Sequence, residues 1–323
     1  GDSDYFIATA HDNPFLPPNY VKKNLASFSK RKKQRYLQGL WLPDSGSFFD
    51  EDALADAMLT AAEFRPYRHA CTIRGNTAGT DRDDPPRFDE GGGLLEVFVP
   101  PIRASVTTLG EEIKEHRYVV GVDFSTGASA DYSAIQVVDV TEMEQVAEWQ
   151  GKLDPDLVAE AAFLVACVYN GAMVVPETTG GWGFSAQQRI KLMIGGWKGP
   201  VNRKPGIYTR PILDRLSQKF TDVVGWDTNI KTRAMMLDTL EQTLREGSIT
   251  IHGNRTLSEL SAFAIPDRQG GIGDYRAPRA QKGAHDDLVI ALAIAAFVAS
   301  KLPRKTSLDP VRREQPVFSA TGW

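Results

Sequence analysis

Cysteine is nearly absent from this chain. Cys71 and Cys167 are the only two in 323 residues, and they lie far apart in unlike surroundings. Neither a disulfide framework nor a cysteine-based zinc site is suggested, which fits a reducing compartment. Long hydrophobic runs are missing as well. The longest apolar stretch, Leu288 to Ala299, is 12 residues, too short to span a bilayer. No charged n-region followed by an apolar h-region opens the chain, and a start at Gly1 rather than Met suggests a trimmed or excised beginning. No GxxxxGK[ST] occurs, so the phosphate-cradling P-loop is excluded. Internal repeats and low-complexity tracts are also lacking.

What is present is a globular composition, 42% hydrophobic and 24% charged, with ample material for a core. At this length one large α/β domain with appendages accounts for the chain. The formal charge of −4 hides an uneven distribution: residues 1–43 carry a net +4 and residues 44–112 a net −8. Such a balance does not exclude a nucleic-acid partner, because clustered basic side chains matter more than the total.

Hydrophobic patterning predicts a helix from about Asn19 to Gly39 with a basic run Lys30 to Lys33, then a short amphipathic helix over Glu51 to Ala62. The stretch Gly75 to Gly93, rich in Gly, Asp and Pro, reads as a mobile loop, and Leu94 to Val99 as a strand. Tyr118 to Phe124 is a continuous apolar run, expected as a central strand buried on both faces. Ser133 to Val140 and Gln145 to Gln150 read as its antiparallel partners. Further on come a helix over Asp156 to Tyr169, a strand over Ala172 to Glu177, a helix over Phe184 to Ile194 and a short strand over Gly206 to Thr209. A clear helix over Asn229 to Glu246, an edge strand over Ser248 to His252, a helix over Arg255 to Phe263 and a closing helix over Asp286 to Ser300 complete the order. The fold class is therefore α/β, a mixed sheet of about five strands flanked by helices.

Three acidic sites stand at the ends of three of these elements. Asp123 closes the first central strand, Glu177 closes another, and Asp286 with Asp287 opens the last helix. Each alone has an ordinary explanation: a strand terminus, a surface acid, or a helix N-cap favoured by the positive end of the helix dipole. Together, if the first strand lies beside the fourth, they converge on one sheet edge. A desolvated group of anions is costly unless paired or metal-bound. Convergent carboxylates are the donors that two hard divalent cations, Mg²⁺ or Mn²⁺, need when they clamp an in-line phosphodiester displacement. Asp123, Glu177, Asp286 and Asp287 are accordingly the candidate metal ligands. His285 is the candidate to orient or protonate a leaving oxygen or to help hold a metal, with a helix-start histidine bonding backbone as its plain alternative. Asp131 reads as a hairpin-turn residue, with a supporting role beside the metals as its alternative. His11, His69, His116 and His252 show no ligand spacing.

Basic residues follow a related logic. Arg276, Arg279 and Lys282 fall within seven positions of one another just before the acidic pair, well placed to grip phosphates. Lys198, Arg203 and Lys204, with Arg210, form a weaker set around Pro200 and Pro205. The glycines of Thr179-Gly180-Gly181-Trp182-Gly183 read as relief of crowding at a strand-to-helix turn.

The segments YVVGVDFSTGASADYSAIQVVD, YNGAMVVPETTGGWG, GWDTNIKTRAMMLDTLEQTLREGSITI and KGAHDDLVIALAIA resemble the C-terminal nuclease half of the large terminase subunit of tailed bacteriophages. That resemblance, running from about residue 12 to residue 300, implies a ribonuclease H/RuvC-like fold. It implies a two-metal site whose Asp, Glu and final-helix Asp fall on Asp123, Glu177 and Asp286/Asp287. Residues 1–42 resemble the tail and linker helix of the preceding ATPase domain, 43–116 an acidic connecting segment, 117–300 the nuclease domain and 301–323 a C-terminal tail. The implied function is metal-dependent cleavage of double-stranded DNA during viral genome packaging. The implied setting is the cytoplasm of the infected bacterial host, with the terminase small subunit and the capsid portal as partners and no membrane. The alternatives are a RuvC-type junction resolvase, an actin/sugar-kinase-like ATPase suggested by Val122 to Gly127, and a non-catalytic packaging module.

Overall fold

The computed structural model of the protein describes residues 46–63, 69–79, 84–126, 131–214, 219–265 and 277–303. The expected helix over 19–39, its basic run and residues 304–323 of the C-terminal tail lie outside these residues. In chain order, helix α1 (Glu51–Glu63) precedes strands β1 (His69–Arg74), β2 (Arg87–Glu90) and β3 (Leu95–Val97) and a small hairpin, β4 (Ser105–Val106) with β5 (Glu112–Ile113). Then come β6 (Tyr118–Asp123), β7 (Ser133–Asp139) and β8 (Glu144–Gly151), followed by α2 (Pro155–Val168), β9 (Met173–Pro176), α3 (Gly180–Gly196) and β10 (Gly206–Ile207). A second hairpin, β11 (Thr209–Asp214) with β12 (Lys219–Val224), leads to α4 (Ile230–Arg245), α5 (Asn254–Ser261), the short pair β13 (Phe263–Ala264) and β14 (Arg279–Ala280), and α6 (Asp287–Lys301).

Eight strands form one mixed sheet in the order β10-β9-β6-β7-β8-β3-β1-β2. The meander β6-β7-β8 is antiparallel, while β9 pairs parallel to β6 and β10 parallel to β9. This is the ribonuclease H-like arrangement implied by the resemblance. The first core strand does lie beside the fourth. The expected five strands are extended by β3, β1 and β2, which add to the free side of β8. Two local expectations change. A strand, β2, occupies part of the Gly75–Gly93 stretch, because Cys71 to Arg74 pair with Glu90 to Arg87 and recruit it. The segment Ser248 to His252 forms only an isolated bridge between Thr250 and Glu144. The amide of Gln145 and that of Thr250 are satisfied across it, and the chain then leaves the sheet for α5.

Apolar groups cover both faces. Alternation along β6 sends Tyr118, Val120 and Val122 into the core beneath α2 and α3, with Val137, Phe163 and Ile190. It sends Val119 into the core beneath α6, with Val138, Val175, Leu237 and Ile294. α6 is apolar on every side and buried over nearly its whole length, as a helix wedged between sheet and outer helices must be. Its close approach depends on Gly121. A Cβ there would lie 2.3 Å from the Ala291 carbonyl oxygen and 2.9 Å from the Ala295 Cβ. Glycine on the strand and alanines on the helix thus let α6 lie directly on β6.

Candidate metal centre

The period of two that orients β6 also aims its last residue. Val119, Gly121 and Asp123 share the α6 side of the strand, and on β9 Val175 and Glu177 share the same side. Register completes the alignment. Val122 pairs with Pro176, and the Glu177 amide donates to the Val122 carbonyl at 2.9 Å. Asp123 and Glu177 therefore end side by side. Gly183, in the first turn of α3, permits this turn: a Cβ there would lie 2.3 Å from the Glu177 carbonyl oxygen. Crowding relief is thus the role of this glycine, and α3 begins at Gly180, earlier than the periodicity indicated.

The start of α6 delivers the other two acids. Asp287 is buried, and its Oδ2 accepts the Tyr132 amide N–H at 3.2 Å, tying the helix to the loop before β7. Asp286 takes the N-cap position, yet its side chain makes no capping hydrogen bond. Its Oδ2 instead accepts from Arg233 Nη2 on α4 at 3.1 Å, and the same nitrogen donates to the Pro278 carbonyl at 3.2 Å.

Electrostatics show how these acids sense one another. Part of the Asp123 side chain reaches solvent, but protein surrounds it closely, and desolvation pushes its carboxyl well above the ordinary carboxylate range. The charges that push it further belong to Glu177, Asp287 and Asp286, in that order. Asp287 is pushed up to about 6, first by burial and then by Asp286 and Asp131. The Tyr132 amide and His285 pull it the other way. His285 stands beside the pair, its Nδ1 3.7 Å from Asp287 Oδ2 and its ring edge-on to Tyr132 at 5.0 Å.

Four carboxyl groups from three elements thus face one edge of the sheet. Among the described residues no three His, Cys, Asp or Glu side chains are closed around a single point in metal-ligand fashion. Asp286 is instead held by Arg233. The donor chemistry nevertheless fits a hard divalent cation: every donor is a carboxylate oxygen, and Asp123 and Asp287 are desolvated where anionic charge is least tolerable. Cys71 and Cys167 are buried and form no disulfide with each other.

The other candidate residues divide by position. Arg279, on β14, and Lys282, just after it, are exposed and follow Pro278, which contacts Arg233 beside Asp286, so they flank the acids. Arg276 falls outside the described residues. Arg203 and Lys204 are not brought to this edge. Arg203 donates to Asn170, and the Lys204 carbonyl packs on Gly171, both before the start of β9. At roughly 3.3 Å per residue, that end of the strand lies about 13 Å from Glu177. Lys198 bonds through its amide to Ala78 and is likewise apart from the acids. Asp131 sits in the turn before β7, where the Ser125 hydroxyl donates to its carbonyl, and its charge reaches Asp287. His116 and His252 pair with Asp139 and Glu144 at 2.7 and 2.6 Å, in structural roles. Two residues escaped the sequence reading. Arg233 gave no signal beyond a place on α4. Glu259 gave one: the helical positions Thr256, Glu259, Leu260 and Phe263 share a face, which puts an acid on the apolar side of α5.

No protein-family model matches the chain. Among solved structures it is similar to the large terminase nuclease from thermophilic phage G20c with bound cobalt. The identity there is 19%, over 64% of this chain and 88% of that one, with a TM-score of 0.45. It is similar also to the Thermus phage P74-26 large terminase nuclease domain, at 18% identity over 63% and 85% with a TM-score of 0.42. The human cytomegalovirus terminase nuclease domain, soaked with manganese and bound to an inhibitor, is 14% identical over 57% of this chain and 83% of that one, TM-score 0.35. At these values the likeness adds nothing to the site, which rests on this chain's own residues.

Proposed function

We propose that this chain is a divalent-metal-dependent endonuclease that cuts double-stranded DNA by phosphodiester hydrolysis. The observation that carries the reading is the convergence of Asp123, Glu177 and Asp287 on the α6 side of one sheet edge, with Asp123 and Asp287 both desolvated. Asp123, Glu177 and Asp287 would hold two Mg²⁺ or Mn²⁺ ions. Asp286, paired with Arg233, would join through solvent or after release. Ions bound there supply Lewis acidity to the phosphodiester and favour the ionised form of a nucleophilic water.

The protein's own groups do the rest. Asp123, closing a central strand whose other five residues are buried, would be the rigid central ligand. The Tyr132 amide fixes one oxygen of Asp287, and the other would be the one offered to a metal. His285, beside Asp287, would carry a proton for the departing oxygen. Arg279 and Lys282 would hold backbone phosphates at the rim, and Arg276 would add to them. Lys198, Arg203 and Lys204 would reach only DNA that extends along the sheet toward the start of β9. Genome packaging, with the terminase small subunit and the portal as partners and the infected host's cytoplasm as the setting, is the context this reading suggests. No helix among the described residues is long and apolar enough to cross a membrane.

The test is plasmid nicking by the purified chain with and without Mg²⁺ or Mn²⁺, beside Asp123→Asn. Cleavage should require the metal and vanish in the variant. A folded Asp123→Asn protein that nicks at the parental rate would sink the proposal.

A further inference from the structure

The helix that brings Asp286 and Asp287 to the edge begins without a cap of its own. A side chain at Asp286 would ordinarily satisfy the N–H groups of the second and third helical residues, here Leu288 and Val289. Both donate instead to Glu259 Oε2, at 2.8 and 3.3 Å. The other oxygen, Oε1, accepts from Gln150 Nε2 on β8 at 2.8 Å. Glu259 is buried, and desolvation pushes its carboxyl up to about 7. One side chain on α5 thus replaces the missing cap and links the start of α6 to the sheet.

The mount beneath Glu259 is itself fixed. Gln145 Nε2 donates to Gln136 Oε1 at 2.8 Å and to Thr256 Oγ1 at 3.1 Å, joining β7, β8 and α5. Gln145 Oε1 accepts the amides of His252 and Gly253, at 2.9 and 2.7 Å, where the chain enters α5. Arg255 Nε pairs with Glu148 Oε1 at 2.9 Å, and the Thr256 hydroxyl donates to the same carboxylate. Such a buried and satisfied network is rigid, so α5 holds Glu259 at a set position relative to β7, the neighbour of β6.

We infer that Glu259 is a positioning residue for the metal centre: as a cap supplied from outside the helix, it sets where the first turn of α6 lies. It thereby releases the Asp286 carboxylate from capping duty. Were Asp286 to cap the helix itself, its oxygen would be turned back onto Leu288 and Val289 and away from Arg233. The inference rests on the proposed metal site, and its test separates the two. Mn²⁺ titrations would follow the metal-induced rise in melting temperature without DNA, and separately the Mn²⁺ midpoint of plasmid nicking. The variants are Glu259→Ala, Glu259→Asp, Glu259→Gln and Asp287→Asn.

Groups that orient metal ligands from the next shell typically change metal affinity by about 10- to 100-fold when removed. Both midpoints should therefore rise about 10-fold or more in Glu259→Ala. Glu259→Asp, too short to reach both amides, should shift in the same direction, and it carries the test should Glu259→Ala fail to fold. Glu259→Gln, whose amide oxygen still accepts both N–H groups and whose NH2 can donate to the Gln150 side-chain oxygen once that amide turns over, should stay near the parent. The inference is overturned if the Ala and Asp variants melt earlier yet keep parental midpoints while Asp287→Asn loses the metal response, since Glu259 is then a structural cap alone. If Asp287→Asn also keeps the parental response, it is the metal site that fails.

Discussion

Asp287→Asn tests whether the carboxyl cluster is under the strain its geometry implies. The substitution removes a charge and keeps the shape, and the amide oxygen still accepts from the Tyr132 N–H. In the folded protein the Asp287 carboxyl is pushed from 3.8 to about 6, roughly two units, and each unit corresponds to about 1.36 kcal/mol. Ionised Asp287 therefore costs the metal-free protein on the order of 3 kcal/mol. The folded state keeps its proton to a higher pH than the unfolded chain. The cost is thus absent below about pH 4, where both states are protonated, and grows to its full value as pH rises through about 6. Asp123, pushed in the same direction by burial and by its acidic neighbours, adds to the trend. Denaturant unfolding in EDTA should show the variant more stable than the parent near pH 8 by up to about 3 kcal/mol, or several degrees in melting temperature. Near pH 4 the two should agree. Added Mn²⁺ should reverse the order at pH 8 by stabilising the parent alone. Equal stabilities at pH 8 without metal would refute the reasoning, because a carboxyl that costs nothing there is neither desolvated nor crowded by anions.

Other outcomes follow from single features. Gly121→Ala forces a methyl against the Ala291 carbonyl and should cost about 2 kcal/mol, read by denaturant unfolding, with metal-dependent cleavage reduced because α6 is lifted from β6. An unchanged midpoint would show that α6 has room to yield. Arg279→Ala with Lys282→Ala should lower DNA affinity and flatten its salt dependence by roughly one unit of slope per lost phosphate contact, measured by fluorescence anisotropy across a salt series. Adding Arg276→Ala should extend the effect. With no P-loop in its 323 residues, the chain should show no DNA-stimulated ATP hydrolysis while cleavage persists. Turnover lost in Asp123→Ala but kept in Asp286→Ala/Asp287→Ala would favour the kinase-like alternative.

Much of the site was legible in the sequence because its acids terminate elements whose patterns are strong. A run buried on both faces, such as Tyr118 to Val122, reads as a central strand, and an apolar stretch such as Leu288 to Ala299 as a buried helix. The residues at their ends follow at once. Their common orientation was legible too, since Gly121 and Asp123, two positions apart, must share a face. Of the additions to the sheet, β3 was legible as a strand, but β1 and β2 were not, because they are half-exposed strands defined by pairing with each other rather than by any period of their own. Nor did local pattern separate Asp286 from Asp287. Adjacent residues at a helix start differ only in what surrounds them: Arg233 arrives from α4, 53 positions earlier, and the Tyr132 amide from 155 positions earlier. The same holds for Glu259, whose acid on an apolar face has a meaning only once Leu288 and Val289 lie against it. Sequence by itself determined which residues could converge, because strand and helix periods are local. Tertiary structure decided what each one does there, because ion pairing, desolvation and capping depend on partners that the chain brings from a distance.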